Sequence, residues 1–246
     1  AHPTVLAIDT TAGACSVAIT GPRGGVRQAR PMTHGHSRHV FELLEQVMSA
    51  ASVQPRAIDA IAFGSGPGSF TGLRIACGIA QGLGFGWSLP LVAVDSLRTL
   101  AQQAFDAADT GDRIVRVALD LRMGEVAYAV FRAGEAGPVV VVAPLLGTPE
   151  QAAEAFDALG GAAGLLAGDG FDRYPTLLGD PPRGTRPYSA IQPDAAAVAR
   201  LGALDWCAGR TIDAADAAPT YLRDRVALDV DEQAALRAAR RAGAAR

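Results

Sequence analysis

The stretch FGSGPGSFTGLRIACGIAQG, from Phe63 to Gly82, has the residue types of a phosphate-binding loop. Closely spaced glycines precede a helix-like run, and backbone N–H groups at the start of a helix bind anions well. Gly64, Gly66 and Gly68 are therefore candidate nucleotide contacts. The spacing is neither Gly-x-Gly-x-x-Gly nor the Walker pattern. A tight turn that seats the following helix is the alternative, and the sequence leaves both interpretations open.

Two aspartates are candidates for chemistry on a metal or a phosphate. Asp9 and Asp120 each end an apolar run and are each followed by a glycine four residues later. Carboxylates at strand ends face the ligand crevice of an open α/β sheet. The alternative is an aspartate that accepts backbone N–H groups in its own turn. We favour this turn interpretation for Asp120, which is close to Arg122, and leave both open for Asp9.

The four histidines are His2, His34, His36 and His39, so a metal site would have to use the segment HGHSRH. Its spacings of two and three differ from the i, i+4 pair of helical metal ligands, and no nearby Cys or Asp completes a set. A Ser-His-Asp triad would need these same histidines, and the chain has no Gly-x-Ser-x-Gly elbow. We therefore predict no metal site and no catalytic residue.

The composition excludes several classes of protein. All 22 basic residues are arginine, whereas a Walker A loop and a pyridoxal enzyme both need a lysine. A formal net charge of −3 argues against a general grip on nucleic acid. Three widely spaced cysteines argue against a disulfide framework. No apolar run is long enough to span a membrane and the start has no leader pattern, so we expect a cytoplasmic protein.

The same order of predicted secondary-structure elements occurs twice along the chain. VLAIDTTAGACSVAIT from Val5 and VALDLRMGEVAYAVF from Val117 both have an apolar strand, an Asp, a Gly and a second strand. Each is followed by a helix candidate and then by a strand that enters Gly-x-Gly, in AIAFGSG and GLLAGDG. Self-similarity in the same order indicates an internal duplication. We predict two α/β lobes that share a cleft, each a mixed sheet flanked by helices.

The first helix candidate, Ser37 to Ala51, is strongly amphipathic. We expect Ser37 to be its N-cap. An apolar stripe with helical spacing follows, made of Val40, Leu43, Leu44, Val47, Met48 and Ala51. Phe41 lies off this stripe, so it is either a packing residue at the edge of the lobe or an anchor for another chain.

The helix from Thr71 carries small residues on two sides. One row is Gly72, Ala76, Ala80 and Gly84, and the other is Gly78, Gly82 and Gly86. Glycine inside a helix costs roughly 0.5–1 kcal/mol relative to alanine. We therefore predict that something packs tightly against the bare backbone on both rows.

Several of these segments together resemble the TsaB (YeaZ) family, over most of the chain and in order. They are DTTAGACSVAI, HSRHVFELLEQVM, FGSGPGSFTGLRIACGIAQGL, VDSL, DLRMGEVAYAVF and PTYLRDRVA. The resemblance implies the duplicated actin/Hsp70/sugar-kinase-like fold. It also implies an accessory subunit, rather than an enzyme, in bacterial synthesis of threonylcarbamoyladenosine on tRNAs that read A-starting codons.

The resemblance further implies a set of partners. They are a TsaD-like catalytic paralogue, a TsaE-like P-loop ATPase, a second copy when the chain is alone, and tRNA through the complex. The metal-binding His-x-x-x-His of that paralogue is missing here, since His36 and His39 are three apart. No cofactor of its own is expected, because ATP and Mg²⁺ belong to the partners.

In the family, the first-lobe helices form both the self-dimer and the contact with the paralogue. Carried over to this chain, the predicted interface is His36, Arg38, Phe41, Leu44, Gly72, Ile75, Ala76, Gly78, Ile79 and Gly82. We expect an N-terminal lobe at 1–98, a C-terminal lobe at 99–225 and an Ala/Arg-rich tail at 226–246 that is a frayed helix or disordered.

Two other functions stay open from the sequence. One is an enzyme of the same superfamily that binds ATP between the lobes, or a hydrolase, which fits the family's older label of glycoprotease. The other is a stand-alone RNA-binding module, which the acidic charge balance does not favour.

Overall fold

The computed structural model describes residues 2–31, 36–108, 114–160, 164–178, 186–188 and 192–222. These residues form two mixed sheets of five strands each. The first sheet contains β1 (Val5–Asp9), β2 (Ala14–Gly21), β3 (Gly24–Pro31), β4 (Ala60–Gly66) and β5 (Leu91–Asp95). The second contains β6 (Ile114–Asp120), β7 (Val126–Arg132), β8 (Val139–Gly147), β9 (Leu165–Ala167) and β10 (Arg186–Tyr188).

Six α-helices alternate with the later strands in the described part of the chain. They are α1 (His36–Ala51), α2 (Phe70–Trp87), α3 (Ser96–Ala107), α4 (Pro149–Asp157), α5 (Gly170–Arg173) and α6 (Ala195–Cys207). Each half thus follows the order of three strands, helix, strand, helix, strand and helix.

The two sheets have the same topology. Their strand orders are β3-β2-β1-β4-β5 and β8-β7-β6-β9-β10. In each, the first three strands pair antiparallel and the last two join in parallel. The predicted duplication and the two-lobed α/β fold are therefore confirmed.

Helices cover both faces of each sheet. In the first lobe, α1 and α2 pack on one face and α6 on the other. In the second, α3 packs on one face and α4 with α5 on the other. This corrects the predicted place of α6, because residues 99–225 were assigned to the second lobe and α6 packs on the first sheet. The boundary at residue 98 stays a prediction, and the tail 226–246 lies outside the described residues.

An ion-pair network joins the two helices that lie between the sheets. Asp205 on α6 is 4% exposed and accepts two hydrogen bonds from Arg98 on α3, at 2.7 and 3.0 Å. Arg210 donates to the same carboxylate at 2.6 Å. A buried carboxylate needs such partners, because leaving it unpaired in the interior is costly.

The amphipathic pattern of α1 is confirmed, although its start is not. Val40, Leu43 and Val47 are buried against the first sheet. The helix begins at His36, so Ser37 is its second residue, and the prediction that Ser37 is the N-cap is wrong. The pattern of apolar residues fixes a helix face better than a helix end.

Candidate functional site

The two lobes enclose a cleft of about 530 Å³. It is lined by the turns that follow β1 and β6, by the glycine-rich loop before α2, and by the chain segment 220–222. The cleft thus lies where the two copies of the repeat face each other. Asp120 is one of its lining residues, whereas Asp9 is buried just before the turn that lines it.

The glycine-rich loop is packed against the turn that follows β1. A Cβ on Gly68 would lie 2.5 Å from the carbonyl oxygen of Thr11, and a Cβ on Gly72 would overlap that of Thr10. Hydrogen bonds hold the same approach, since Ser69 N donates to Thr11 O at 2.7 Å and Thr10 Oγ1 donates to Gly72 O at 2.6 Å. These glycines are explained by contact with the chain's own backbone.

Two further glycines of the loop are fixed in the same way. A Cβ on Gly64 would overlap the carboxylate of Asp9. Gly66 has a φ of +117°, which favours glycine, and a Cβ there would lie 2.6 Å from the carbonyl oxygen of Thr220. The tight-turn interpretation therefore accounts for the loop, and a nucleotide contact stays a prediction that these glycines do not require.

Asp9 is held in its own turn and is almost fully buried. Its Oδ1 accepts hydrogen bonds from Thr11 N at 3.0 Å and Thr11 Oγ1 at 2.9 Å. Its Oδ2 faces Gly64 and has no hydrogen-bond partner among the described residues. Burial raises the pKa of Asp9 to about 6, against the lowering effect of the Thr11 hydrogen bonds. The turn interpretation holds for one oxygen and leaves the other unpaired.

Asp120 is engaged in the corresponding turn of the second lobe. Its Oδ1 accepts from Arg122 N at 2.8 Å and from Tyr174 Oη at 3.2 Å. Its own N–H donates to Asp169 Oδ1 at 3.0 Å, and burial raises the pKa of Asp169. The turn interpretation of Asp120 is confirmed.

His39 is the described histidine that lies within the segment HGHSRH, and it contacts other side chains. His39 Nδ1 lies 3.1 Å from Arg30 Nη1 and 3.2 Å from Glu42 Oε2. No cluster of three His, Cys, Asp or Glu residues suited to a metal occurs within the described ranges. His34 and the side chains of His36 and Arg38 lie outside what the structure describes, so the predicted contacts of His36 and Arg38 stay predictions.

Part of the predicted interface lies inside the first lobe. Leu44, Gly72 and Ala76 are buried against the chain's own core, so their prediction as contact residues is corrected. They belong to the faces of α1 and α2 that cover the first sheet. Ile75 and Ile79 are half-buried at the edge of the same core.

The other predicted residues whose surroundings the structure describes, Phe41, Gly78 and Gly82, are exposed on α1 and α2. Phe41 is 52% exposed, and a Cβ on Gly78 or on Gly82 would meet nothing within 4 Å. The row of Gly72, Ala76, Ala80 and Gly84 is buried as predicted. The row of Gly78, Gly82 and Gly86 is not packed against any part of the described chain, so the predicted close packing on that row is corrected for the isolated chain.

Sequence reasoning missed two features of this surface. Phe85 is 84% exposed beside the glycine row, and its place between two glycines was the available signal. At the start of α2, the Arg74 guanidinium carbon lies 3.9 Å above the ring centroid of Phe70. Arg74 Nε also donates to Tyr221 Oη at 3.1 Å, a contact across the length of the chain that no local pattern predicts.

Two sheets of identical topology around a shared cleft define the actin/Hsp70/sugar-kinase-like class of two-lobed proteins. Comparison with known proteins gives a narrower group. The chain is 33% identical to tRNA threonylcarbamoyladenosine biosynthesis protein TsaB of Escherichia coli, over 91% of this chain and 96% of that protein. The protein of that name in Haemophilus influenzae is 30% identical, over 91% and 94%.

The other comparisons agree with these relatives. The solved structure of YeaZ from Pseudomonas aeruginosa is 32% identical and superposes with a TM-score of 0.81, over 89% of this chain and all of that one. Residues 17–168 match the family model described as TsaD: tRNA N6-adenosine threonylcarbamoyltransferase. The chain belongs to the TsaB (YeaZ) family. Among the described helices, none combines the length and the apolar character needed to cross a bilayer.

Proposed function

We propose that this chain is a non-catalytic accessory subunit that binds and activates a TsaD-like paralogue in threonylcarbamoyladenosine modification of tRNAs that read A-starting codons. The names of its relatives and the TsaD-type family match support a role in this modification. In this proposal a TsaE-like ATPase joins the complex, and ATP and Mg²⁺ belong to the partner subunits. Alone, the chain pairs with a second copy, and it reaches tRNA through the complex.

The observation that carries the proposal is the exposed surface formed by α1 and α2. Phe41 and Phe85 are largely exposed on it, although aromatic side chains of this size are usually buried. The backbone of α2 is also bare at Gly78 and Gly82, which precede Phe85 on the same helix. Aromatic anchors are enriched among the residues that carry binding energy in protein interfaces.

The shape of this surface suits another helix. Each exposed glycine costs the isolated helix roughly 0.5–1 kcal/mol and gains no contact within the described chain. A partner helix that lies along the bare row recovers this cost by close approach of two backbones. The paralogue and a second copy of this chain would therefore compete for one surface.

The state of the cleft supports an accessory role. Its glycine-rich loop is filled by the backbone of the turn after β1. The carboxylates of Asp9 and Asp120 each accept hydrogen bonds within their own turns. One oxygen of each carboxylate is thus engaged in the turn of its own lobe.

The decisive experiment is a reconstitution with the purified paralogue, ATPase, donor-forming enzyme and tRNA, with and without this chain. We call the exposed surface of α1 and α2 around Phe41, Gly78, Gly82 and Phe85 the docking surface. Gly82→Arg adds a bulky charge to it at a position with open space, so the variant should fold. Ala196→Arg adds the same charge at an exposed position at the start of α6, on the other side of the first sheet, and is the control. We expect Gly82→Arg to lose paralogue binding and tRNA modification and Ala196→Arg to retain both. Normal binding by Gly82→Arg would place the interface elsewhere.

The cleft itself favours one second candidate, an ATP-binding or hydrolytic enzyme. Its volume of about 530 Å³ and its Asp169 and Arg122 side chains are the observation behind this alternative. Calorimetry of the isolated chain with ATP and Mg²⁺ separates the two functions. Micromolar binding accompanied by turnover would contradict the accessory role.

A further inference from the structure

We propose that Arg74 is a preorganised receptor for a carboxylate on the docking helix of the paralogue, and that Phe70 and Tyr221 hold it in place. The inference rests on the proposed function, because the occupant of the exposed surface of α2 is the paralogue's helix. It adds a polar contact that fixes where along α2 that helix sits.

The guanidinium of Arg74 is held from two directions by neutral groups. Its face lies 3.9 Å above the ring of Phe70, which is a cation–π contact. Its Nε donates to Tyr221 Oη at 3.1 Å, and the rings of Phe70 and Tyr221 are 5.7 Å apart. Among the described residues the two terminal nitrogens have no hydrogen-bond or ion-pair partner. A planar fork of N–H donors is therefore left open, the geometry that binds a carboxylate bidentately.

Five other arginines among the described residues have a carboxylate partner. Those that form such ion pairs are Arg27, Arg30, Arg98, Arg200 and Arg210. Arg74 is instead held by Phe70 and Tyr221, and no carboxylate among the described residues pairs with it. A side chain that is ordered and still unpaired loses little conformational entropy when an anion binds, which favours affinity.

The position of Arg74 connects it to the bare row of α2. Phe70, Arg74, Gly78 and Gly82 follow one another at intervals of four, so they share one side of the helix. Arg74 is one turn, about 6 Å, from Gly78 along the axis. A helix that lies close to Gly78 and Gly82 therefore brings its own side chains within reach of Arg74.

The ligand is a carboxylate of a protein helix rather than an RNA phosphate. The bare glycines fit a helix backbone. Phe70 and Tyr221, which hold Arg74, also line the cleft that contains Asp120 and Asp169, and these carboxylates repel a nucleic-acid strand. The whole chain also has a formal net charge of −3.

Tyr221 acts as a positioning residue because the segment before it is fastened along α2. Gln81 Nε2 donates to Ala217 O at 3.0 Å, and Thr220 N donates to Ser65 O at 2.7 Å. The phenol oxygen is thus fixed relative to α2 before any partner arrives. Removing the hydroxyl would leave Arg74 charged but free to move.

The test is the affinity of the full chain for the paralogue, measured by calorimetry at low and high salt. We expect Arg74→Ala to weaken binding about tenfold or more and to flatten its salt dependence. Arg74→Lys keeps the charge without the fork and should recover only part of the affinity. Arg200→Ala, which removes an exposed arginine on α6, is the control and should bind normally.

Tyr221→Phe tests the positioning role. We expect it to weaken binding a few-fold in the wild-type chain and to have no further effect in the Arg74→Ala background, because the two residues act as a unit. Equal effects of Tyr221→Phe in both backgrounds would contradict the positioning role. Thermal unfolding of each variant checks folding, and little change is expected because both residues are exposed.

The outcomes separate this proposal from the proposed function. If Gly82→Arg loses the paralogue and Arg74→Ala does not, the receptor is refuted and the docking surface stands. If both variants bind normally, both proposals fail. If Arg74→Ala binds the paralogue normally but the complex loses tRNA affinity, the ligand of Arg74 is an RNA phosphate and the carboxylate proposal is overturned.

Discussion

Two glycines of α2 give opposite predictions for the same substitution. Gly72→Ala and Gly78→Ala both exchange glycine for alanine within one helix, so the gain in helix propensity is about 1 kcal/mol for each. The surroundings differ. A Cβ on Gly78 meets nothing within 4 Å, so this variant should keep the whole gain.

At Gly72 the added methyl group would overlap the carbonyl oxygen of Thr10. The start of α2 must then move, which strains the hydrogen bond from Thr10 Oγ1 to Gly72 O and the one from Ser69 N to Thr11 O. Overpacking costs roughly 1–3 kcal/mol and each weakened hydrogen bond about 1 kcal/mol. After the propensity gain, Gly72→Ala should destabilise the chain by roughly 2–4 kcal/mol.

Chemical and thermal unfolding at neutral pH measure the difference. For a chain of this size 1 kcal/mol shifts Tm by roughly 2–4 °C, so Gly78→Ala should raise Tm by a few degrees and Gly72→Ala should lower it by roughly 5–15 °C. The shared helix makes each variant the control for the other. Equal shifts of the same sign in the two variants would refute the assignment of buried and bare rows.

Three further predictions test other parts of the structure. Since the folded-state pKa of Asp9 is about 6, above the ordinary 3.8, the folded state binds this proton more tightly. Stability should therefore fall as pH rises from about 4 to about 6, by roughly 3 kcal/mol at most, and a pH series of urea midpoints for Asp9→Asn should lose this part of the slope. Asp205→Ala leaves Arg98 without its partner and should cost roughly 3–5 kcal/mol in the same assay, whereas Arg200→Ala, which breaks an exposed pair, should cost less than about 1 kcal/mol. Phe85→Ser removes an exposed ring, so thermal unfolding should stay unchanged while calorimetric affinity for the paralogue falls; unchanged affinity would exclude this ring from the interface.

Much of the fold was predictable because it depends on local sequence patterns. The repeated strand–Asp–Gly–strand order predicted the duplicated lobes, and the apolar stripe containing Val40 and Val47 identified the buried face of α1. The turn role of Asp120 followed from the residue type and its place at a strand end. The absence of lysine from the sequence was enough to exclude a Walker loop and a pyridoxal enzyme.

The candidate site was only partly predictable. The helical spacing of small residues shows which of them share a face of the helix, but it does not show what covers that face. Both small-residue rows of α2 look alike in the sequence, yet Gly72 meets the turn after β1 and Gly78 meets open space. The packing of α6 on the first sheet could not be predicted from local sequence, because the chain returns from the second lobe to the first to make this contact.

The sequence by itself determined the repeat and the helix faces, since both depend on residue types a few positions apart, and its lack of lysine excluded a Walker loop and a pyridoxal enzyme. Only the tertiary structure decided which glycine row is bare and that Tyr221 meets Arg74, because both depend on segments that are distant in the chain and close in space. Folding of the C-terminal segment along α2 brings Tyr221 to Arg74, and the position of this arginine depends on that contact.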